Sequence, residues 1–329
     1  MGKKYYLTDF NINNNYNAGS KAVIDVNAIL EKKGYTPLFL GYGCQKKYIG
    51  KILVSLYCIL TILIKLRAGD AIFIQYPITH INAHIKNVIF RIIKYKKSRI
   101  EILIHDLDSY RFPNNTEDTT ILQHGDLVIC HTHKMKEIIQ DIGVNKSHIR
   151  VIFLFDYITN SSNINPTNFG NEIIFAGNLG KSKFIKLLPS IKNLKFNLYG
   201  LPEIDNGENV KYKGKFSPND ISEINGDWGL VWDGDSIDTC NGPLGKYLAI
   251  NSSHKISLYI AAKKPVIIWD ESSLRDFIID NNLGISVKSL YEINDKIRKL
   301  SDIDKKELEK SLSHFSERLK RGEMLDSIL

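Results

Sequence analysis

Three short stretches of this sequence combine small residues with a nearby cation, as an anion site requires. The first is Ala176-Gly177-Asn178-Leu179-Gly180-Lys181-Ser182, which follows a strand-like run at 172–175. A glycine turn at a helix start presents free N–H groups and the positive end of the helix dipole, and Lys181 adds a full charge; a diphosphate fits such a place. The stretch approaches G-x-x-x-x-G-K-[ST], but Phe175 stands where the first glycine belongs, and no strand ending in a magnesium-binding aspartate is paired with it. An NTPase or kinase is therefore the second reading. The next stretch is Asn251-Ser252-Ser253-His254-Lys255-Ile256-Ser257. Here Ser252 or Ser253 can cap a helix whose first turn carries Lys255; a cation there opposes the dipole, so Lys255 either faces solvent or meets an anionic ligand. The third is Gly19-Ser20, after the polar loop 9–17, which is either a plain cap or a further anion-binding helix start.

Proton chemistry points to His105-Asp106, placed just after the apolar run 100–104. Such a pair at a strand end can hold or deprotonate a hydroxyl. Two D-x-D triplets, Asp106-Leu107-Asp108 and Asp233-Gly234-Asp235, have the spacing with which some enzymes hold a divalent ion on a diphosphate, but the pattern is short and common. His80 and His84 lack a third ligand, and His131 and His133 read the same way, so these histidines are structural or surface residues. No metal and no cofactor are expected.

Positioning these residues takes two runs of alternating strands and helices. The first half has strand-like runs at 5–9, 37–40, 71–75, 100–104, 127–130 and 151–154, with helical patterns at 19–33, 49–66, 82–94 and 134–142. After a polar stretch at 159–170, strands follow at 172–175, 195–199, 229–232 and 265–269, with helices near 182–188, 253–262 and 272–280 and a charged helix at 302–320. Short apolar strands alternating with helices indicate parallel sheets covered on both faces. Two α/β units joined by a linker leave a cleft where strand C-termini meet.

The chain has 329 residues, enough for two ordinary domains. Cys44, Cys58, Cys130 and Cys240 form no C-x-x-C pair, which speaks against zinc ribbons and disulfide frameworks and fits the cytoplasm. The net charge of +8 lies wholly in the first half: residues 1–170 carry 21 Lys and Arg against 13 Asp and Glu, residues 171–329 carry 23 of each. Lys65, Arg67, Lys86, Arg91, Lys94, Lys96, Lys97 and Arg99 face only Asp70 across one stretch. That patch is either a solvated face or a surface for a polyanion, be it nucleic acid, anionic lipid or a diphosphate-bearing acceptor; of these, the partner expected for the whole chain is a lipid or glycan acceptor and no nucleic acid. The apolar run 52–64 would reach only about 20 Å as a helix, short of a bilayer core, so it is read as a buried helix, with an interfacial helix as the alternative.

Residues 229–238 (GLVWDGDSID), 251–261 (NSSHKISLYIA) and 265–269 (PVIIW) resemble bacterial β-1,6-galactofuranosyltransferases of polysaccharide synthesis. They are also similar to the related glucosyltransferase that extends GlcNAc on streptococcal serine-rich-repeat adhesins. The agreement extends to 75–77, 104–106, 175–178 and 282–285, in matching order over nearly the whole chain. This resemblance implies a GT-B fold, two Rossmann-like domains facing a central cleft: residues 1–158 for the acceptor and 171–329 for a UDP-sugar. It implies metal-independent transfer of a hexose, of the galactofuranose or glucose type, to a glycan, lipid-linked glycan or glycoprotein acceptor. By position Lys181 and Lys255 contact the diphosphate, and Gly177, Asn178, His254 and Ser257, within the matching segments, belong to the donor site, to which Gly19 and Ser20 are added as the candidate anion-binding helix start. Phe216 falls loosely where a tyrosine lies near the nucleotide. Retaining GT-B enzymes often carry a ribose-binding glutamate where this chain has Ser257, so an inverting displacement is expected, with Asp106 as first and His105 as second candidate base. Self-association and peripheral contact of the basic half with the inner face of the membrane complete the expectations; the alternatives are the NTPase or kinase and an inactive GT-B accessory subunit.

Overall fold

The computed structural model describes residues 2–8, 18–39, 48–78, 81, 83–111, 117–161, 164 and 166–329. The loop 9–17, Cys44 and His80 lie outside the described residues, as do the burial of Gly19 and the side chain of His84. The chain divides into two compact units, one built on Val23–Ile152 with the leading strand and one built on Phe153–Ser327.

In the first unit, strands β1 (Lys4–Thr8), β2 (Thr36–Phe39), β3 (Ala71–Tyr76), β4 (Arg99–Ile104), β5 (Leu127–Cys130) and β6 (Ile149–Val151) form a sheet in the order β2-β1-β3-β4-β5-β6. All its pairings are parallel. Helices α1 (Ala18–Lys32), α2 (Tyr48–Lys65), α3 (Ala83–Tyr95), α4 (Asp108–Arg111), α5 (Glu117–Ile121) and α6 (His133–Asp141) make the crossovers. The strands are apolar on both faces because both are covered: Ile72, Phe73, Ile74, Ile100, Ile102 and Ile104 are wholly buried. Buried phenols are satisfied by carboxylates, Tyr35 donating to Glu101 (2.6 Å) and Tyr76 to Asp118 (2.5 Å). Helix α2 departs from the expectation of burial. Val54, Cys58, Ile62 and the following Leu66 recur every four residues on its buried face, while its other face is equally apolar and exposed.

In the second unit, β7 (Glu172–Asn178), β8 (Lys195–Leu201), β9 (Val210–Tyr212), β10 (Trp228–Val231), β11 (Val266–Trp269) and β12 (Gly284–Val287) run in the order β9-β8-β7-β10-β11-β12. This sheet too is parallel throughout. Read from its own first strand, the order is 3-2-1-4-5-6, the nucleotide-binding arrangement of doubly wound folds, with its switch point between β7 and β10. Helices α7 (Gly242–Tyr247), α8 (His254–Ala261), α9 (Arg275–Asp280), α10 (Ile293–Arg298), α11 (Asp302–Arg321) and α12 (Glu323–Asp326) complete the unit. Helix α11 opens with a Ser301/Asp304 capping box and closes at left-handed Gly322. Residues 153–157 pack within this unit: Phe153 stacks on Phe277 (4.7 Å), and the Asp156 carboxylate accepts the N–H groups of Met324 and Leu325, both at 2.9 Å.

Two local expectations are corrected. Strand β7 runs three residues beyond Phe175, so Gly177 and Asn178 are strand residues, opposite Gly200 and Leu201. The helix expected at 182–188 is a 3-10 segment, Lys183–Ser190, with Pro189 inside it. Proline at that position lacks the N–H an α-helical turn would use.

Candidate functional site

Ligands of open parallel sheets bind past the strand C-termini at the switch point, so the ends of β7 and β10 are the place to look in the second unit. There the stem of Lys255, from the first turn of α8, lies directly on the backbone of Gly177. A Cβ at Gly177 would come 2.9 Å from Lys255 Cε. The Lys255 ammonium stands 5.2 Å from the centre of the Phe175 ring, and no hydrogen-bond or ion-pair partner is found for it among the described residues. Burial lowers its pKa from the ordinary lysine value, and the nearby Asp233 charge only partly offsets this. An unpaired, poorly hydrated ammonium at this position is a ready receptor for an anion.

Helix α8 is aimed by packing. The ring of Tyr259 lies on Gly229 of β10, where a Cβ would meet ring atoms at 2.1 Å. The Tyr259 hydroxyl accepts the N–H of Ala176 (2.9 Å), tying α8 to the end of β7. Ser253 occupies the cap position, as expected, but its side chain makes no capping hydrogen bond. Around this helix start, Asn251 Oδ1, Ser252 Oγ and Ser257 Oγ are buried without a hydrogen-bond partner, and Ser257 is wholly buried. Buried polar atoms are rarely left so, and a cluster of them beside an open helix N-terminus and a lysine marks a site that a polar ligand completes. His254 is held between the rings of Phe155 (5.4 Å) and Tyr157 (5.2 Å).

The turn after β7 differs from a P-loop. Asn178 Oδ1 accepts the Lys181 N–H (3.1 Å), Ser182 Oγ bonds the Asn178 carbonyl (3.1 Å), and no α-helix follows. One N–H of the turn is thus taken by the chain's own Asn178 side chain, and the α-helix start into which a P-loop's phosphate nest leads is missing here. Lys181 itself is exposed. Phe216 packs edge-to-face on Tyr199 (5.6 Å), which places it on the core of this unit. Asp235, of the second D-x-D triplet, pairs with Lys183 (3.3 Å).

In the first unit, the switch point lies between β1 and β3, and a polar chain runs across it. Asn27 Nδ2 donates to Thr8 Oγ1 (2.9 Å), Gln75 Nε2 donates to Asn27 Oδ1 (2.8 Å), and Gln75 Oε1 meets His105 Nε2 (2.7 Å). Because the Gln75 amide nitrogen is committed to Asn27, its oxygen accepts from His105, which puts the imidazole proton on Nε2 and the lone pair on Nδ1. Burial lowers the His105 pKa to about 4, so the ring is neutral near pH 7. Asp106 is held by Arg111 (2.6 Å), which also lies 3.8 Å from Asp108. Sequence reasoning did not anticipate Arg111; the short helix α4 folds it back toward both carboxylates. Asp108 has its pKa raised, chiefly by burial, against the opposing pull of Arg111. Gly19 and Ser20 lie in the first turn of α1.

The chain matches the family described as Glucosyltransferase 3-like, through its N-terminal domain over residues 4–152 and its C-terminal domain over residues 173–329. It is similar to the beta-1,6-galactofuranosyltransferase WbbI of Escherichia coli (strain K12), 30% identical over 99% of this chain and 97% of that protein. Glucosyltransferase 3 of Streptococcus parasanguinis is 26% identical over 78% of this chain and 76% of its own length. Among solved structures, Anabaena Alr3699/HepE, crystallised with UDP-glucose, matches with a TM-score of 0.64 at 12% identity, covering 100% of this chain and 99% of that one. The likeness is one of fold, α/β of the GT-B type.

Proposed function

The chain belongs to the Glucosyltransferase 3-like family, and on that premise we propose that it moves a hexose, of the galactofuranose or glucose type, from a UDP-sugar to a glycan acceptor in cell-surface polysaccharide or glycoprotein synthesis. The second unit is the donor domain and the first the acceptor domain. The observation that carries the donor assignment is Lys255 lying on Gly177 at the β7/β10 switch point, beside the uncapped start of α8 and the unpartnered side-chain oxygens of Asn251, Ser252 and Ser257.

In a direct displacement at the anomeric carbon, UDP departs with growing negative charge. Lys255, the α8 N-terminus and, from the exposed turn, Lys181 stabilise that charge, the task a divalent ion performs elsewhere. Because Lys255 is desolvated before the ligand arrives, its attraction to a diphosphate is little screened by water. The acceptor hydroxyl must lose a proton; Asp106, aimed by Arg111, is the first candidate to take it, and neutral His105 through Nδ1 the second. Asn178, His254 and Phe216 remain donor-site candidates by the same family resemblance, and Gly19 and Ser20 as a candidate anion-binding helix start.

Calorimetric titration of UDP against Lys255→Ala tests the donor site: the loss of a charge-assisted contact predicts about a ten- to hundredfold weaker affinity. Unchanged affinity would place the nucleotide elsewhere. UDP release measured with candidate acceptors separates an active transferase from an inactive accessory subunit.

A further inference from the structure

Helix α2 carries a second apolar face that is left exposed among the described residues of its own unit. Leu53, Leu56, Tyr57, Leu60, Leu63 and Ile64 recur at intervals of three and four, and their exposure ranges from 44% at Leu63 to 76% at Ile64. The face extends about 17 Å along the helix, and residues 52–64 contain no charged side chain. A helix apolar all round belongs in a core, so a surface helix of this kind has its partner outside the unit.

The charges around the face say which partner. Lys96 Nζ donates to the Leu63 carbonyl (2.8 Å), Ser98 Oγ to the Arg67 carbonyl (3.0 Å), and Gly69 N–H to the Lys97 carbonyl (3.1 Å). These bonds gather Lys65, Arg67, Lys96 and Lys97 at the C-terminal end of α2. None of the four has an ion-pair partner among the described residues. Asp70, the acid of this stretch, is buried and turned inward, accepting the N–H groups of Lys3 (2.7 Å) and Arg67 (2.9 Å). In sequence the other end of the apolar run is also basic, with Lys46, Lys47 and Lys51.

We propose that α2 is a membrane-docking helix that lies in the plane of an anionic lipid surface, its Leu53–Ile64 face among the acyl chains and its two basic ends on the headgroups. No described helix is long and apolar enough to cross a membrane, so the helix lies on the surface and does not span it. A second copy of the chain fits the face less well. With lysines at both ends of the run, parallel and antiparallel pairing alike would set basic residues against basic residues.

The test is flotation of the full chain with vesicles of phosphatidylcholine alone and of phosphatidylcholine mixed with phosphatidylglycerol. The chain is expected to float with the anionic vesicles, to bind neutral ones far more weakly and to be released by salt. Leu56→Glu combined with Leu60→Glu should abolish flotation. Each charge reversal at Lys65, Arg67 and Lys97 should weaken it at least about fivefold. All these positions are exposed, so unchanged thermal unfolding of the variants serves as the control for folding. Absence of flotation by the unmodified chain overturns the proposal, as does equal binding to both vesicle types. A dimer in light scattering that the paired leucine substitution dissociates would assign the face to a second copy and overturn it as well.

Discussion

Replacing Gly177 by alanine adds one methyl group at the point where Lys255 crosses β7. The added carbon would lie 2.9 Å from Lys255 Cε and 3.7 Å from Nζ. The Gly177 backbone is outside the left-handed region, so alanine fits the strand and the clash alone must relax. Carbon–carbon contacts settle at about 3.5–4.0 Å, so the lysine must retreat by about 0.6–1.1 Å, which the far end of a flexible side chain does more readily than a sheet strand. A charge-assisted hydrogen bond is worth about 1.5–3 kcal/mol, and a displacement of that size removes most of it. UDP affinity should therefore fall about tenfold or more in calorimetry, while the denaturation midpoint of the unliganded protein barely moves. A cycle with Lys255→Met sharpens the test: if alanine acts only through Lys255, adding it to that variant costs nothing further. Full UDP affinity in Gly177→Ala, or losses that simply add in the double variant, would refute the reasoning.

Binding of UDP should also depend on pH through Lys255. Its pKa is depressed in the empty protein and rises when an anion arrives, so binding takes up a proton and weakens as pH climbs toward the ordinary lysine range; calorimetry in buffers of different ionisation heat reads the uptake. His105 titrates near 4 in the folded chain against 6.5 when free, so stability is complete above about 6.5 and is lost as pH falls toward 4, by up to about 3 kcal/mol. Denaturant titrations of His105→Gln should lack that slope. Tyr259→Phe leaves the buried Ala176 N–H without its acceptor and should cost about 1–3 kcal/mol in chemical denaturation. Gly229→Ala forces a methyl into the Tyr259 ring, and a destabilisation of about 3 kcal/mol or more is expected from the same measurement.

Much of the parallel layering could be read from local pattern, because short apolar runs such as 100–104 and 266–269 are buried on both faces and carry their signal alone. Strand β12 gives no such signal: Gly284–Val287 is four residues long, only half of them buried, and it is held by pairing with β11. Strand order is likewise non-local. The site was legible in part. Lysines after glycine-rich or serine-rich strand ends are visible in one dimension, but the contact between Gly177 and Lys255 spans 78 positions and depends on Tyr259 lying flat on Gly229. Arg111 could not be found by spacing, since a single turn of helix returns it to Asp106. For α2, hydropathy reported an apolar run and could not say that only half of it would be covered.

The desolvation that prepares Lys255 for an anion also changes it as a reagent. An amine held below its ordinary proton affinity keeps more of its lone pair at neutral pH, where exposed lysines are locked as ammonium. Lys264 shares this property, with a pKa lowered to about 8, but its side chain is sealed in the core on the Pro166 carbonyl. Lys255 is only half-buried. An acylating or carbamylating electrophile should therefore find Lys255 ahead of the surface lysines, and a bound nucleotide should shield it, which makes the residue an anchor for covalent ligands directed at this enzyme.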